Sequence, residues 1–251
     1  MGNITLYNFP QSTCSQKVRL VLWEKNIPHT DRIVDHKNRE HLQAPYLKLN
    51  PNGVVPTITD GDDVIIDSSV ILEYLEEVYP DIPMSPSTAA ERAQMRKWLR
   101  YIEEVPTPAI RIPSFNKFLA KRYENMDDSA YQEMADKHPM RKHFYHRMKK
   151  KGFSSEETTE ALDRLDLAAH RFNDGLQLHG KDWLMGDMLT IVDAAYMPTV
   201  DRMIDLGLDD LVFDKPFLKI WYERFSQRES FRKTYYKGTR LTEIFAAHSA
   251  T

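Results

Sequence analysis

The chain has 251 residues, with 34 Lys and Arg against 37 Asp and Glu, and one cysteine. That length divides by default into a small domain of about 80 residues and a larger one, and the near balance of charge excludes a global field that would draw in nucleic acid or an anionic membrane, leaving a small molecule as the expected partner. The lone Cys14 excludes an internal disulfide framework and fits a reducing compartment, the cytoplasm by default.

From the start of the chain, MGNITLYNF has neither the basic region nor the apolar core of a leader, and Leu6 stands where a myristoylation signal carries Ser or Thr. No run approaches the roughly 18 apolar residues of a membrane span. Residues 4–9 predict a short strand, and the polar turn Pro10-Gln11-Ser12-Thr13-Cys14-Ser15 then opens a helix at about Gln16, with Val18, Val21 and Leu22 on its apolar side. A second strand is expected over 29–34. The polar, basic stretch 35–50 carries a weak helix from His41 to Leu49. Val54, Val55, Thr57, Ile58 and Thr59 read as one strand, Asp60-Gly61-Asp62 as a tight turn and 64–66 as the returning strand. Pro56 cannot donate to a ladder, so that strand is short and at an edge, or Val55-Pro56 marks a tight turn that a cis bond would explain. Asp67-Ser68-Ser69 offers capping oxygens to a helix whose apolar face is Val70, Ile71, Leu72, Leu75 and Val78.

A proline-rich linker at 80–86 precedes a composition that is helical to the end. Residues 91–104 are amphipathic through Met95, Trp98, Leu99 and Ile102, and Pro106 and Pro108 bend or end that helix. Ile112, Phe115, Phe118 and Leu119 recur at helical spacing, a pattern more typical of core than of pocket. The run KHPMRKHFYHRMKKK at 137–151 reads as a solvated basic helix face balanced by acids elsewhere. After a break at 152–155, Leu162, Leu165, Ala169, Phe172 and Leu176 form a bundle seam. Thr190-Ile191-Val192-Asp193 is a capping box, with Leu189 able to pack on Ala194. Helices over 215–227 and 241–248 complete the bundle. Metal-ligand spacing, a P-loop and internal repeats are all lacking from the sequence.

The string N-P-x-G-x-V-P at 50–56, followed by D-S-x-x-I-x-x-Y-L at 67–75, resembles the glutathione-binding half of the glutathione transferases, in which the Val-Pro peptide is cis. The box at 190–193 resembles the helix start of that family's second domain. The resemblance implies an α/β N-terminal thioredoxin-like domain over residues 1–82 and an all-α C-terminal helical-bundle domain over 89–251, with glutathione as co-substrate and the site between them. Asp67 and Ser68 are then expected at the γ-glutamyl end of glutathione, the backbone of Val54, Val55 and Pro56 along its cysteinyl part, and His41 at the glycyl carboxylate. Subunits of the family usually pair, as homodimers or heterodimers.

Free thiols titrate near about 8.5, so a catalyst must raise the small thiolate fraction present at neutral pH. A helix N-terminus does so with its dipole and free N–H groups, and a hydroxyl donating to sulfur adds a directed bond. Ser15, Ser12 and Cys14 are the candidates, in that order, with Thr13 beside them. Ser12 falls at the first cysteine of a thioredoxin C-x-x-C; Ser15 falls where β-etherases of the superfamily carry a serine, and Cys14 where its reductive dehalogenases carry a redox cysteine.

Further along, Trp98-x-x-x-Ile102-Glu103-Glu104, Arg147-x-Lys149-Lys150-x-Gly152-Phe153 and Asp174-Gly175-Leu176 resemble, in order and spacing, the lignin β-etherases of sphingomonad bacteria. This implies attack of glutathione thiolate on the β-carbon of an α-keto aromatic ether, with loss of a phenolate. The N-terminal turn departs from the glycine-rich turn of those enzymes. Dehalogenation, isomerisation, thiol–disulfide exchange through Cys14 and a non-catalytic binding role therefore stay open.

Overall fold

A computed structural model describes residues 4–245. Its first unit is a four-stranded sheet made of β1 (Ile4–Asn8), β2 (His29–Ile33), β3 (Thr57–Asp60) and β4 (Asp63–Ile66), in the order β2-β1-β3-β4. β1 runs parallel to β2 and antiparallel to β3, and β3 pairs with β4 as a hairpin. The parallel pair needs a crossover, which α1 (Thr13–Glu24) supplies. A short α2 (Ala44–Leu49) precedes β3, and α3 (Ser68–Val78) follows β4. This is the thioredoxin-like arrangement expected from the order of elements.

Two local differences from the sequence reading matter. β3 begins only at Thr57, so Val54 and Val55 lie outside the ladder, before a Val55–Pro56 peptide that is cis. The missing N–H of Pro56 is the reason that the ladder starts after it. Helix α1 starts at Thr13, three residues earlier than Gln16, because the Ser12 hydroxyl caps it by accepting from the Ser15 N–H at 3.3 Å.

The second unit is helical: α4 (Ala89–Glu104), α5 (Pro106–Ser114), α6 (Asp128–Asp136), α7 (Lys142–Met148), α8 (Ser155–His179), α9 (Ile191–Asp205), α10 (Asp210–Phe213), α11 (Pro216–Ser226), α12 (Glu229–Thr234) and α13 (Leu241–Phe245). Pro106 sits at the first turn of α5, where a missing N–H costs nothing, and so it separates α4 from α5. A π-turn over Phe115–Leu119 and a 3-10 turn over Ala120–Arg122 extend α5. The long basic helix expected at 137–151 is only the short α7, preceded by a turn that carries His138 and Arg141. Residues 246–248 of the expected last helix lie outside the described residues. Among the described residues, no helix is long and apolar enough to cross a membrane.

One hydrophobic core runs through both units. Leu20 and Leu22 of α1, Ile71 and Leu75 of α3, and Ala194, Tyr196 and Met197 of α9 are all fully buried in it. Each such large side chain contributes about 1.5–3 kcal/mol by leaving water. Polar ties reinforce the same seam. Lys17, fully buried in α1, pairs with Glu103 of α4 and donates to Thr107 of α5 at 3.2 Å, while Glu24 accepts two bonds from Arg228, at 2.6 and 2.7 Å. At the start of α9 the buried Asp193 accepts from the N–H groups of Thr190 (2.9 Å) and Leu184 (3.1 Å) and from the Trp221 indole (2.9 Å).

Candidate active site

A cleft of about 190 Å3 opens between the start of α1 and the α5 end of the helical unit. Its sheet-side wall is the turn Gln11, Ser12, Thr13 and Cys14, with Phe9, His36, His41 and the 53–55 backbone. A small cluster of Val34, Tyr46 and Val55, with Tyr7 and Phe9 packed on it, supports this wall from behind. The opposite wall is Ile110, Arg111, Ser114, Phe115 and Leu119, joined by His138, Arg141 and Tyr145. A second cluster, in which Phe115 and Tyr145 pack with Tyr131, Met148 and Phe153, stiffens it.

Ser12, Thr13 and Cys14 reach the cleft together, each partly exposed. A hydroxyl has two lone pairs and one proton; the cap uses a lone pair of Ser12 and leaves its O–H free to donate. The Thr13 and Cys14 N–H groups stand in the first turn, where no intrahelical acceptor exists. An anionic sulfur placed there would meet a hydroxyl donor, backbone N–H groups and the positive end of α1. Ser15 is set apart from them. Because the helix begins at Thr13, Ser15 falls on its inward face with Arg19 and Leu22; it is 0% exposed, its hydroxyl has no hydrogen-bond partner, and it does not line the cleft.

Val54 and Val55 line the cleft, whereas Pro56 does not. The Val54 carbonyl accepts from the Tyr46 hydroxyl at 2.7 Å and from the Asn50 amide at 2.9 Å, which fixes the loop so that the Val55 backbone, outside the ladder, is open to pairing with an extended ligand. Asp67 and Ser68 lie at the start of α3, beyond the cleft walls. Asp67 holds φ at 72°, a left-handed value rare for a residue with a side chain, and spends one carboxylate oxygen on the N–H groups of Ser69 and Val70. Its second oxygen has no partner among the described residues, and so it can accept from a ligand ammonium.

His41 is in the cleft but is not a free cation. It is 6% exposed, lies over His36 with ring centroids 5.3 Å apart, and has His138 at 5.9 Å. Burial, and then the like charges of His36, His138, Arg141 and Arg39, push its pKa down to about 3. The same causes, burial first and Arg122 next, take His36 to about 4. The buried Nδ1 of His41 has no partner.

The sequence reading missed Arg111, His138, Arg141 and Tyr145. The basic run 137–151, taken for a solvated face, turns His138, Arg141 and Tyr145 inward. Pro139 docks that turn onto Gly53: a Cβ at Gly53 would lie 3.1 Å from the proline ring, and its φ of 61° also favours glycine. No signal within the run marks that face, since its basic composition is the same for a solvated helix and for one that closes a cleft. Of the aromatic stripe, Phe115 and Leu119 line the cleft, while Ile112 and Phe118 pack elsewhere. Among the described residues, no group of three His, Cys, Asp or Glu is placed to hold a metal ion.

Comparisons with known proteins agree with this architecture. Residues 11–78 match the glutathione S-transferase N-terminal domain family and residues 135–237 its C-terminal domain family, which together account for more than half of the chain. The chain belongs to the glutathione S-transferase family, whose co-substrate is glutathione. Among its relatives is glutathione S-transferase TCHQD of Arabidopsis thaliana, 26% identical over 94% of this chain and 91% of that protein. A tetrachloro-p-hydroquinone reductive dehalogenase of Sphingobium chlorophenolicum is 26% identical over 92% of this chain and 95% of that one. The crystal structure of the beta-etherase LigF of Sphingobium sp. superposes with a TM-score of 0.81 at 24% identity, covering 92% of this chain and 98% of that one.

Proposed function

We propose that this glutathione transferase is a β-etherase that cleaves β-aryl ethers of lignin-derived α-keto aromatic dimers. The observation that supports it is the two-sided cleft: Ser12, Thr13 and Cys14 at the start of α1 face Ile110, Phe115 and Leu119. A thiolate held at the helix start then attacks the β-carbon of an aromatic ketone lying on the apolar wall. The carbon–oxygen bond breaks, the oxygen leaves as a phenolate, and a glutathione thioether remains. Ser12 donates to the sulfur; Asp67, Ser68, Val55 and His41 hold the rest of the tripeptide. The likeness to LigF over nearly the whole length favours this reading. Two subunits pairing belongs to the same proposal, and sedimentation of the purified protein tests it.

A second reading rests on Cys14, which lines the cleft one residue past Thr13 and is unbonded to any other cysteine. With a reductive dehalogenase among the relatives, Cys14 is suited to thiol–disulfide exchange: its thiolate attacks the glutathionyl sulfur of a mixed-disulfide substrate, the substrate thiolate leaves, and a second glutathione thiolate cleaves the Cys14–glutathione disulfide to give glutathione disulfide and free Cys14. The test is phenol release from a racemic α-keto β-aryl ether, with and without glutathione, by the wild type, S12A and C14S. Glutathione-dependent release that survives C14S supports the etherase. Absence of release despite bound glutathione overturns it and directs the search to chlorinated phenols and mixed disulfides.

A further inference from the structure

Seven cationic or potentially cationic side chains line the cleft, namely Arg111, Arg122, Arg141, Arg202, His36, His41 and His138, and among the described residues no Asp or Glu does. Several are already engaged. Arg202 lies 3.4 Å from Asp205 and donates to the Gln11 carbonyl at 2.6 Å. Arg122 meets His36 at 3.4 Å and lies over the Phe245 ring at 5.0 Å. His138 bonds the Met134 carbonyl at 2.8 Å through Nδ1.

Arg111 and Arg141 are different. Neither guanidinium makes a hydrogen bond or ion pair with any described residue. The carboxylate that feels Arg111 is Glu103, which is already held by buried Lys17. The two guanidiniums repel each other: burial and then Arg111 lower the pKa of Arg141, and only the Tyr145 hydroxyl and the Cys14 thiol act the other way. Two adjacent, unneutralised guanidiniums in a half-closed, apolar-walled cleft are costly when empty. A planar carboxylate relieves that cost, because guanidinium donors match it bidentately.

We infer that Arg111 and Arg141 form an anion subsite on the helical wall, and that the electrophile taken by this enzyme carries a carboxylate on its aromatic part. Arg111 stands on the helical wall, and Arg141 lies near the sulfur end, since it feels the Cys14 thiol. The turn that carries Arg141 also touches Gly53 through Pro139, so the anion is assigned to the second substrate on the strength of Arg111, and the glutathione arm of the test separates it from the tripeptide. This inference rests on the glutathione-dependent reading given above and narrows its substrate class to aromatic acids.

The test is equilibrium binding to the full chain by calorimetry of glutathione, S-benzylglutathione and S-(4-carboxybenzyl)glutathione, for the wild type, R111Q and R141Q. The carboxybenzyl conjugate is expected to bind about tenfold or more tighter than the benzyl conjugate, the scale of one charge-assisted bidentate contact, with the advantage shrinking in salt. Either variant should lose that advantage while keeping its affinity for glutathione, and that unchanged affinity also shows that each variant is folded. Equal binding of the two conjugates by the wild type overturns the inference. So does a loss of glutathione affinity in both folded variants, checked by thermal unfolding, since the guanidiniums would then serve the tripeptide. Failure of all three ligands to bind sinks the glutathione site and the inference together. A persisting carboxylate preference without phenol release removes only the etherase reading.

Discussion

Arg202 of α9 donates to the main-chain carbonyl of Gln11 at 2.6 Å, so a helix of the second unit holds the turn that carries Ser12, Thr13 and Cys14. The same guanidinium lies 3.4 Å from Asp205, whose carboxylate is buried and also accepts from the Leu241 N–H at 2.8 Å. Position of the sulfur-side turn and seating of the last described helix thus share one arginine. Replacing Arg202 by Met should cost about 3 kcal/mol in urea unfolding, because it leaves the Asp205 carboxylate buried without its cation. It should also lower kcat/KM by more than the stability loss predicts at a temperature where the variant is fully folded. Unchanged stability would show that the N–H donors alone satisfy Asp205.

The two serines of the α1 turn should behave oppositely. S12A removes the cap of α1 and one of the two hydroxyls, with that of Thr13, that line the cleft at the helix start, and is expected to cost about 1 kcal/mol of stability and to raise the pKa of bound glutathione thiol, read from thiolate absorbance. S15A deletes a buried hydroxyl that bonds to nothing, and should leave the thiol titration alone while stabilising the fold slightly. A loss of thiolate in S15A would reverse the assignment.

His41 gives the protein an acid-sensitive limb. Its pKa is about 3 in the fold against about 6.5 in the unfolded chain. Above pH 6.5 the ring is neutral in both states and its contribution is fully present. As pH falls below 6.5 the unfolded chain takes up the proton first, so stability declines until the folded ring also titrates near pH 3. By pH 5 the loss is about 2 kcal/mol, and H41Q should flatten the urea midpoint between pH 7.5 and 5 by that amount. His36, whose ring packs against Phe9 and His41 while the rest of the residue is open to solvent, moves in the same direction but is partly screened. An H41Q profile parallel to wild type would refute the assignment.

Asp193 should be the most sensitive carboxylate. Burial pushes its pKa up, and the bonds from Thr190, Leu184 and Trp221 pull it back. D193A strands three buried N–H donors and the Thr190 hydroxyl, and is expected to lose about 3–5 kcal/mol, enough to cut soluble yield severely. Normal yield with a wild-type melting curve would show that water replaces the carboxylate.

Much of this was legible in the sequence because short-range chemistry determines it. The 50–56 and 67–75 strings, the box at Thr190 and Asp193 and the linker before Ala89 are each specified by residues within a few positions of one another. The start of α1 was misplaced because Pro10-Gln11-Ser12-Thr13-Cys14-Ser15 offers several capping oxygens; only the packing of Ser15 beneath the helix chooses Ser12. The inward turn at His138 and Arg141 was hidden for a different reason. Its partner, Gly53, is 86 residues away, and nothing local distinguishes a solvated basic face from one that closes a cleft.

Helix α1 packs against α9 and α12, and Gln11 and Gln16 donate to the carbonyls of Gly238 and Thr239 at 2.6 and 3.1 Å. During synthesis, the first helix of the protein is therefore completed by some of its last residues. A nascent chain released at the end of the thioredoxin-like half would leave Lys17 without Glu103, and much of the apolar face of α1 in water. The sheet half is therefore expected not to fold as a fragment by itself, and chaperone engagement should persist until translation passes about residue 240.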